Sequence, residues 1–123
     1  MFTSTDTFLT LMNHSLRTLD DAVIVELDGE ADLAMVPSFQ SQMRKQIEAN
    51  VPYLVIDFSK VTFVNTPIWA VVVEYYQHAR NAKSGFALAG LKGRVEASFS
   101  IVRLGDFIPH QATVEAAIAA LKA

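Results

Sequence analysis

The sequence holds no cysteine, which removes disulfide frameworks, thiolate-bound zinc, iron–sulfur clusters and thiol nucleophiles together. Neither sign of charge is in large excess. Ten basic against thirteen acidic residues leave a formal net charge of −3 and no basic run, so a nucleic-acid partner is not expected. Long apolar runs are missing too: the longest uncharged stretch, Val61 to Val73, has 13 residues and includes Thr62, Asn65, Thr66 and Pro67. A membrane-crossing helix needs ~20 apolar residues, so no direct membrane insertion is expected. Met1 to Leu11 carry Asp6 and no basic n-region, so they do not read as a secretory signal, and a cytoplasmic location is expected. The chain has 123 residues. That is one domain's worth, long enough to bury roughly two-thirds of the surface its unfolded form exposes.

What is present is apolar and patterned: 51% of the residues are hydrophobic. Two short runs around the pair Asp20-Asp21 read as a hairpin, with Val23, Val25 and Leu27 alternating against Ile24, Glu26 and Asp28 as in a half-buried strand. After Asp32, the residues Val36, Phe39, Met43 and Ile47 repeat at a helical period, with Pro37 tolerated in the first turn and Asn50 and Pro52 ending the run. Tyr53-Leu54-Val55-Ile56 is a continuous apolar run, the mark of a strand covered on both faces.

A second helix is expected from Thr66 as N-cap and Pro67 as first helical residue. On its wheel Trp69, Val72, Tyr76 and Ala79 form the buried stripe and Glu74, Gln77, His78 and Asn81 the solvated one. Pro67 and Ala70 fall on the exposed side, with Val71 and Val73 on its shoulders. Gly85 is expected to end that helix before a strand at Phe86 to Ala89. A third helix then presents Val95, Phe99 and Val102 and stops by Gly105, a short strand lies near Phe107-Ile108, and Thr113 caps a last helix with Val114, Ala117, Ile118 and Leu121 inward. The expected architecture is a single α/β domain whose mixed β-sheet opens with a hairpin and is flanked by about four α-helices. Residues 14–121 form this domain. Residues 1–13 are an N-terminal segment in which a first strand through Phe8 and an alternative start at Met12 both stay open.

Candidate catalytic or metal chemistry finds no support in the residue spacing. Asp28, Glu30 and Asp32 alternate like a calcium loop, but Leu33 and Phe39 stand where that loop needs glycine and glutamate. His14, His78 and His110 read as surface residues with no converging metal spacing. No Gly-x-Ser-x-Gly or phosphate-loop motif occurs. Asp57 follows a buried strand like a receiver phosphoacceptor, yet a strand rather than a helix follows Asp20-Asp21; it reads instead as a strand-end turn residue bonding local backbone. No catalytic residue, metal or cofactor is expected.

The remaining signal is the charge-poor start of the second helix. A hydroxyl at Thr66 would carry about −1.5 to −2 charge if phosphorylated, enough to alter an apolar patch, while the bland reading makes it a cap worth ~1 kcal/mol.

Leu27-Asp28-Gly29-Glu30-Ala31-Asp32-Leu33 resembles the L-x-G-E-L-D-L turn of the STAS family, and Ile56-Asp57-Phe58-Ser59-Lys60-Val61-Thr62-Phe63-Val64-Asn65-Thr66 resembles its D-L-S-x-V-x-F-I-D-S run. Leu88-Ala89-Gly90-Leu91 is similar to the strand that follows. This resemblance to a family of bacterial anti-sigma factor antagonists and sulfate-transporter tails implies a non-catalytic regulatory module that binds an anti-sigma factor doubling as a serine kinase, and is released by phosphorylation. By position Asn65 takes the place of the motif's aspartate, Thr66 of the first hydroxyl, Pro67 of the second and Ile68 of the glycine, so only Thr66 keeps the motif's chemistry. The implied partner-binding residues are Asn65, Thr66, Pro67, Ala70, Val71 and Val73, with Glu30 and Asp32 as an acidic rim, and Thr66 is the candidate phosphoacceptor. Two alternatives stay open: a STAS subunit of a membrane transporter complex that is never phosphorylated, and a small-molecule or nucleotide binder using the same loop. The oligomeric state is open as well.

Overall fold

In the computed structural model, residues 14–123 are described; the expectations for Phe8 and Met12 lie outside them. Five strands form one sheet in the order β1-β2-β3-β4-β5: β1 His14–Leu19, β2 Ala22–Ala31, β3 Tyr53–Val64, β4 Gly85–Ala89 and β5 His110–Gln111. β1 and β2 make the expected antiparallel hairpin, turning at Asp20 and Asp21, and the other pairs are parallel. The helices are α1 Val36–Glu48, α2 Thr66–Ala82, α3 Gly93–Ile101 and α4 Val114–Lys122, with 3₁₀ turns at Leu33–Met35 and Leu104–Asp106. Each parallel pair is joined through a helix, as parallel pairing requires.

Two cores sandwich the sheet. One holds Val25, Leu27, Leu54, Ile56 and Phe58 against α1, α2 and α3; the other holds Ala22, Ile24, Val55, Ala87 and Ala89 against Val114, Ala117 and Ile118 of α4. The first half of β2 is therefore buried on both faces, so Ile24 is as buried as Val25 and a half-buried strand is not what forms. α4 begins under a working cap, Thr113 Oγ1 accepting from the Ala116 N–H at 3.1 Å. Its far end is tied to the hairpin turn by Lys122, whose ammonium lies 2.6 Å from Asp21 and holds that carboxyl below its ordinary range.

Several boundaries differ from the sequence reading. β3 does not stop near Asp57. It runs on to Val64, paired only with β2 beyond the Asp57–Ala89 pair, and register shifts at Glu26/Asp28 and Gly29/Glu30 let the two strands coil together past the rest of the sheet. Asp57 does bond local backbone, its Oδ1 accepting from the Ser59 N–H at 2.9 Å, but within the strand rather than at its end. Beside that bend Gly90 sits at φ +75°, and a side chain there would come within 2.9 Å of the Ser59 backbone. Only glycine fits.

α2 ends at Ala82, with Lys83 rather than Gly85 taking the left-handed capping conformation at φ 59°; Gly85 opens β4, where a Cβ would strike the Tyr53 ring. The last strand falls at His110–Gln111, not Phe107-Ile108, because Leu104 and Ile108 are drawn into the core and leave Phe107 exposed. Val102 lies just past the end of α3 and is exposed, as Ile101 is, while only Val95 and Phe99 of that helix are buried. No helix among the described residues is long and apolar enough to cross a membrane.

Candidate functional site

The long β2–β3 ribbon decides where the candidate residues stand. Glu30 pairs with Phe63 and Ala31 with Val64, and the Asn65 N–H then donates to the Ala31 carbonyl at 2.8 Å. That bond brings the acidic turn and the start of α2 together at one end of the sheet. Glu30 is exposed and Asp32 half-buried beside it.

The helix begins one residue earlier than expected. Asn65, at φ −81° and ψ 147°, is the N-cap, and its carbonyl accepts from the Ile68 N–H at 2.9 Å. Because β3 stays paired through Val64, the extended backbone that a cap requires falls on Asn65, and Thr66 is already helical. Thr66 therefore does not occupy the cap of α2 and its side chain is exposed; the Asn65 side chain makes no capping bond, and Pro67 follows as the second helical residue, where its missing N–H is still harmless. No acidic residue occupies this first turn.

Burial anchors this helix start. Ile68 is wholly enclosed, and Trp69 lies between Phe58 and Phe99 at ring-centroid distances of 5.4 and 5.5 Å, its Nε1–H donating to Ser98 Oγ of α3 at 2.8 Å. Such tilted aromatic contacts and a satisfied indole N–H fix the ring, and with it the first turn.

α2 buries a broader arc than the wheel suggests: Ile68, Trp69, Val71, Val72, Tyr75 and Ala79 all lie in the core. Val71, expected on the exposed shoulder, is only 3% exposed, and Val73 is half-buried and packed against the same core. The reason is that α2 has cover on two sides, the sheet below and α1 beside it, where Glu74 takes Gln40 at 3.4 Å and Arg44 at 3.7 Å. The buried tyrosine is Tyr75 rather than the half-buried Tyr76, and His78 is half-buried with its ring against Tyr75 at 5.8 Å. Burial pushes the Tyr75 phenol up to about 12. Of the expected apolar contact residues, Ala70 is exposed and Pro67 half-exposed.

Three further residues share this end of the sheet. Leu33 is 63% exposed directly after Asp32, and Phe63 is partly exposed with the Arg94 guanidinium 5.7 Å above its ring. Arg94 occupies the first turn of α3, where the helix dipole disfavours a cation; a basic residue in that place was the legible sign that something else holds it, and the Phe63 ring does. Phe63 gave less notice, because its exposure follows from the register shift.

The face has an exposed hydroxyl, small apolar surface at Ala70, Leu33 and Phe63, and flanking charges, but no paired acid and base. Among the described residues no three His, Cys, Asp or Glu side chains gather as a metal site. Of the histidines expected on the surface, His14 is instead buried, because its place opposite Leu27 turns it into the larger core.

The STAS domain family model matches residues 13–117. Solved structures share the fold at low identity. A putative anti-sigma factor antagonist from Thermotoga maritima is 17% identical with a TM-score of 0.84, over 89% of this chain and 95% of that one. An anti-sigma factor antagonist from Mycobacterium paratuberculosis is 20% identical with a TM-score of 0.83, over 89% and 93%. The Bacillus cell fate determinant SpoIIAA in its phosphorylated form is 18% identical with a TM-score of 0.69, over 87% and 97%. No curated protein sequence matches the chain.

Proposed function

The chain belongs to the STAS domain family, and from that premise we propose that it is a non-catalytic cytoplasmic regulator of transcription that binds an anti-sigma factor or related serine kinase. Contact is made through the outer face of the α2 start, Asn65, Thr66, Pro67 and Ala70, with Glu30 and Asp32 as rim, and phosphate on Thr66 releases the partner. The observation that carries this reading is the exposed, uncommitted Thr66 hydroxyl on a helix turn held rigid by Ile68 and Trp69. A phosphate there adds about −1.5 to −2 charge beside Ala70 and the existing acidic rim, which a partner fitted to a small, uncharged helix start would not tolerate. Ile68 serves as the anchor of that turn, so the bulk that replaces the family's glycine points away from a partner and into the core.

The test is calorimetric titration of the serine kinases and anti-sigma factors of the source genome with the native chain, Ala70→Glu and Thr66→Glu. One partner is expected to bind, with at least tenfold weaker affinity for each variant. Absence of binding to all of them overturns the partner class. Binding indifferent to Ala70→Glu overturns the face. Binding indifferent to Thr66→Glu overturns the switch and leaves a constitutive role, such as in a transporter complex.

A further inference from the structure

His14 opens the edge strand β1 opposite Leu27, with 4% of its surface exposed and neither Nδ1 nor Nε2 in a hydrogen bond. A bare imidazole is costly to bury when neutral and far more costly when charged. The described residues on that side of the sheet do not relieve it. Leu27 stands opposite it on β2, and further along the same side Leu16 meets Val25 and Thr18 meets Val23.

Among the described residues, the charged groups nearby are engaged elsewhere or point to solvent. Arg17 and Glu26 pair at 2.8 Å on the opposite side of the sheet, and Asp28 and Glu30 further along β2 are exposed. On the helices sharing His14's core, Arg44 pairs with Glu74, while Lys45, Glu48, Arg80, Arg94 and Glu96 are exposed. Burial alone holds the His14 ring below the ordinary histidine range.

We propose that His14 is a proton-sensitive lock on the sheet edge: the neutral ring holds the start of β1 on β2, and the protonated ring must reach water, so the segment 14–16 leaves the edge. Leu27 stands at the first register shift of β2, and the same strand continues to Glu30 and Ala31. Opening there loosens the strand that carries the acidic rim of the candidate face. The opened edge binds the proton more readily than the closed one. The closed edge is therefore favoured above about pH 6.5 and loses ground below it, by up to about tenfold per pH unit until the buried ring itself titrates.

Amide hydrogen exchange resolved by NMR, corrected for intrinsic rates and run at pH 7.5 and 5.5, tests the lock together with a titration of the His14 ring. The His14 ring is expected to titrate below the ordinary histidine range, and protection at residues 14–16 and Leu27 to fall about tenfold on acidification while Val55 and Leu88 hold theirs. His14→Phe should abolish that pH dependence, and His14→Gln should give edge protection that is low and equal at both values. A His14 ring that titrates in the ordinary histidine range, or edge protection in the native chain that ignores pH, overturns the lock. So does a pH dependence that survives in His14→Gln.

Discussion

Thr113 and Thr66 each stand at the start of a helix, one position apart in register, and their hydroxyls have opposite fates. Thr113 is the cap of α4, its Oγ1 holding the Ala116 N–H, with Glu115 in the first turn to meet the helix dipole. Thr66 is the first residue inside α2, exposed, with neither a capping bond nor an acidic neighbour in the turn. What replaces the cap is burial: Ile68 and Trp69 sit in the core one turn into α2, and Ser98 satisfies the indole. A helix start held by apolar anchors can leave its polar atoms to a partner, whereas one held by its own hydroxyl cannot. The difference separates a structural end of the domain from a candidate functional one.

Trp69→Ala should strike this contrast hardest. Emptying the space between Phe58 and Phe99 is expected to lower stability by about 3–5 kcal/mol, read from the urea midpoint; a loss under ~1 kcal/mol would mean that burial is not what holds the α2 start. Ser98→Ala removes the acceptor and strands a mostly buried N–H, for an expected cost of about 1–3 kcal/mol. It should also shift the fluorescence of Trp69, the only tryptophan in the chain. An unaltered spectrum would show that the bond does not hold the ring.

The two threonines then separate directly. Thr113→Ala is expected to cost about 1 kcal/mol as a lost cap, while Thr66→Ala should stay within about 0.5 kcal/mol as an exposed substitution without a partner. Equal losses in paired thermal melts would erase the distinction between the two helix starts.

Much of the architecture was legible because it rests on local chemistry. Asp20-Asp21 sits between two alternating runs, the apolar period of α1 is visible, Pro37 and Pro67 could only stand in first turns, and Thr113 precedes an amphipathic run; each of these has a physical cause within a few residues. The misses share a different cause. Asp57 looks like a strand end until β2 extends the pairing to Val64, and that extension moves the cap of α2 from Thr66 to Asn65. Val71 looks like a shoulder residue until α1 covers it. His14 looks like a surface histidine until its pairing with Leu27 turns it inward.

An α/β domain without cysteine chemistry, its order of strands and helices, and the short stretch where a hydroxyl meets a charge-poor helix start can all be read from the residues in chain order. These follow from periodicity, capping preferences and composition, which act between near neighbours in the chain. Which of those residues face outward was set by the packed fold. It placed Glu30 beside Phe63, freed the Thr66 hydroxyl by giving the cap to Asn65, set Arg94 on Phe63, and enclosed Val71 and His14. Strand register and helix cover are agreements between segments far apart in the chain, and burial at a given residue depends on what arrives from elsewhere to cover it.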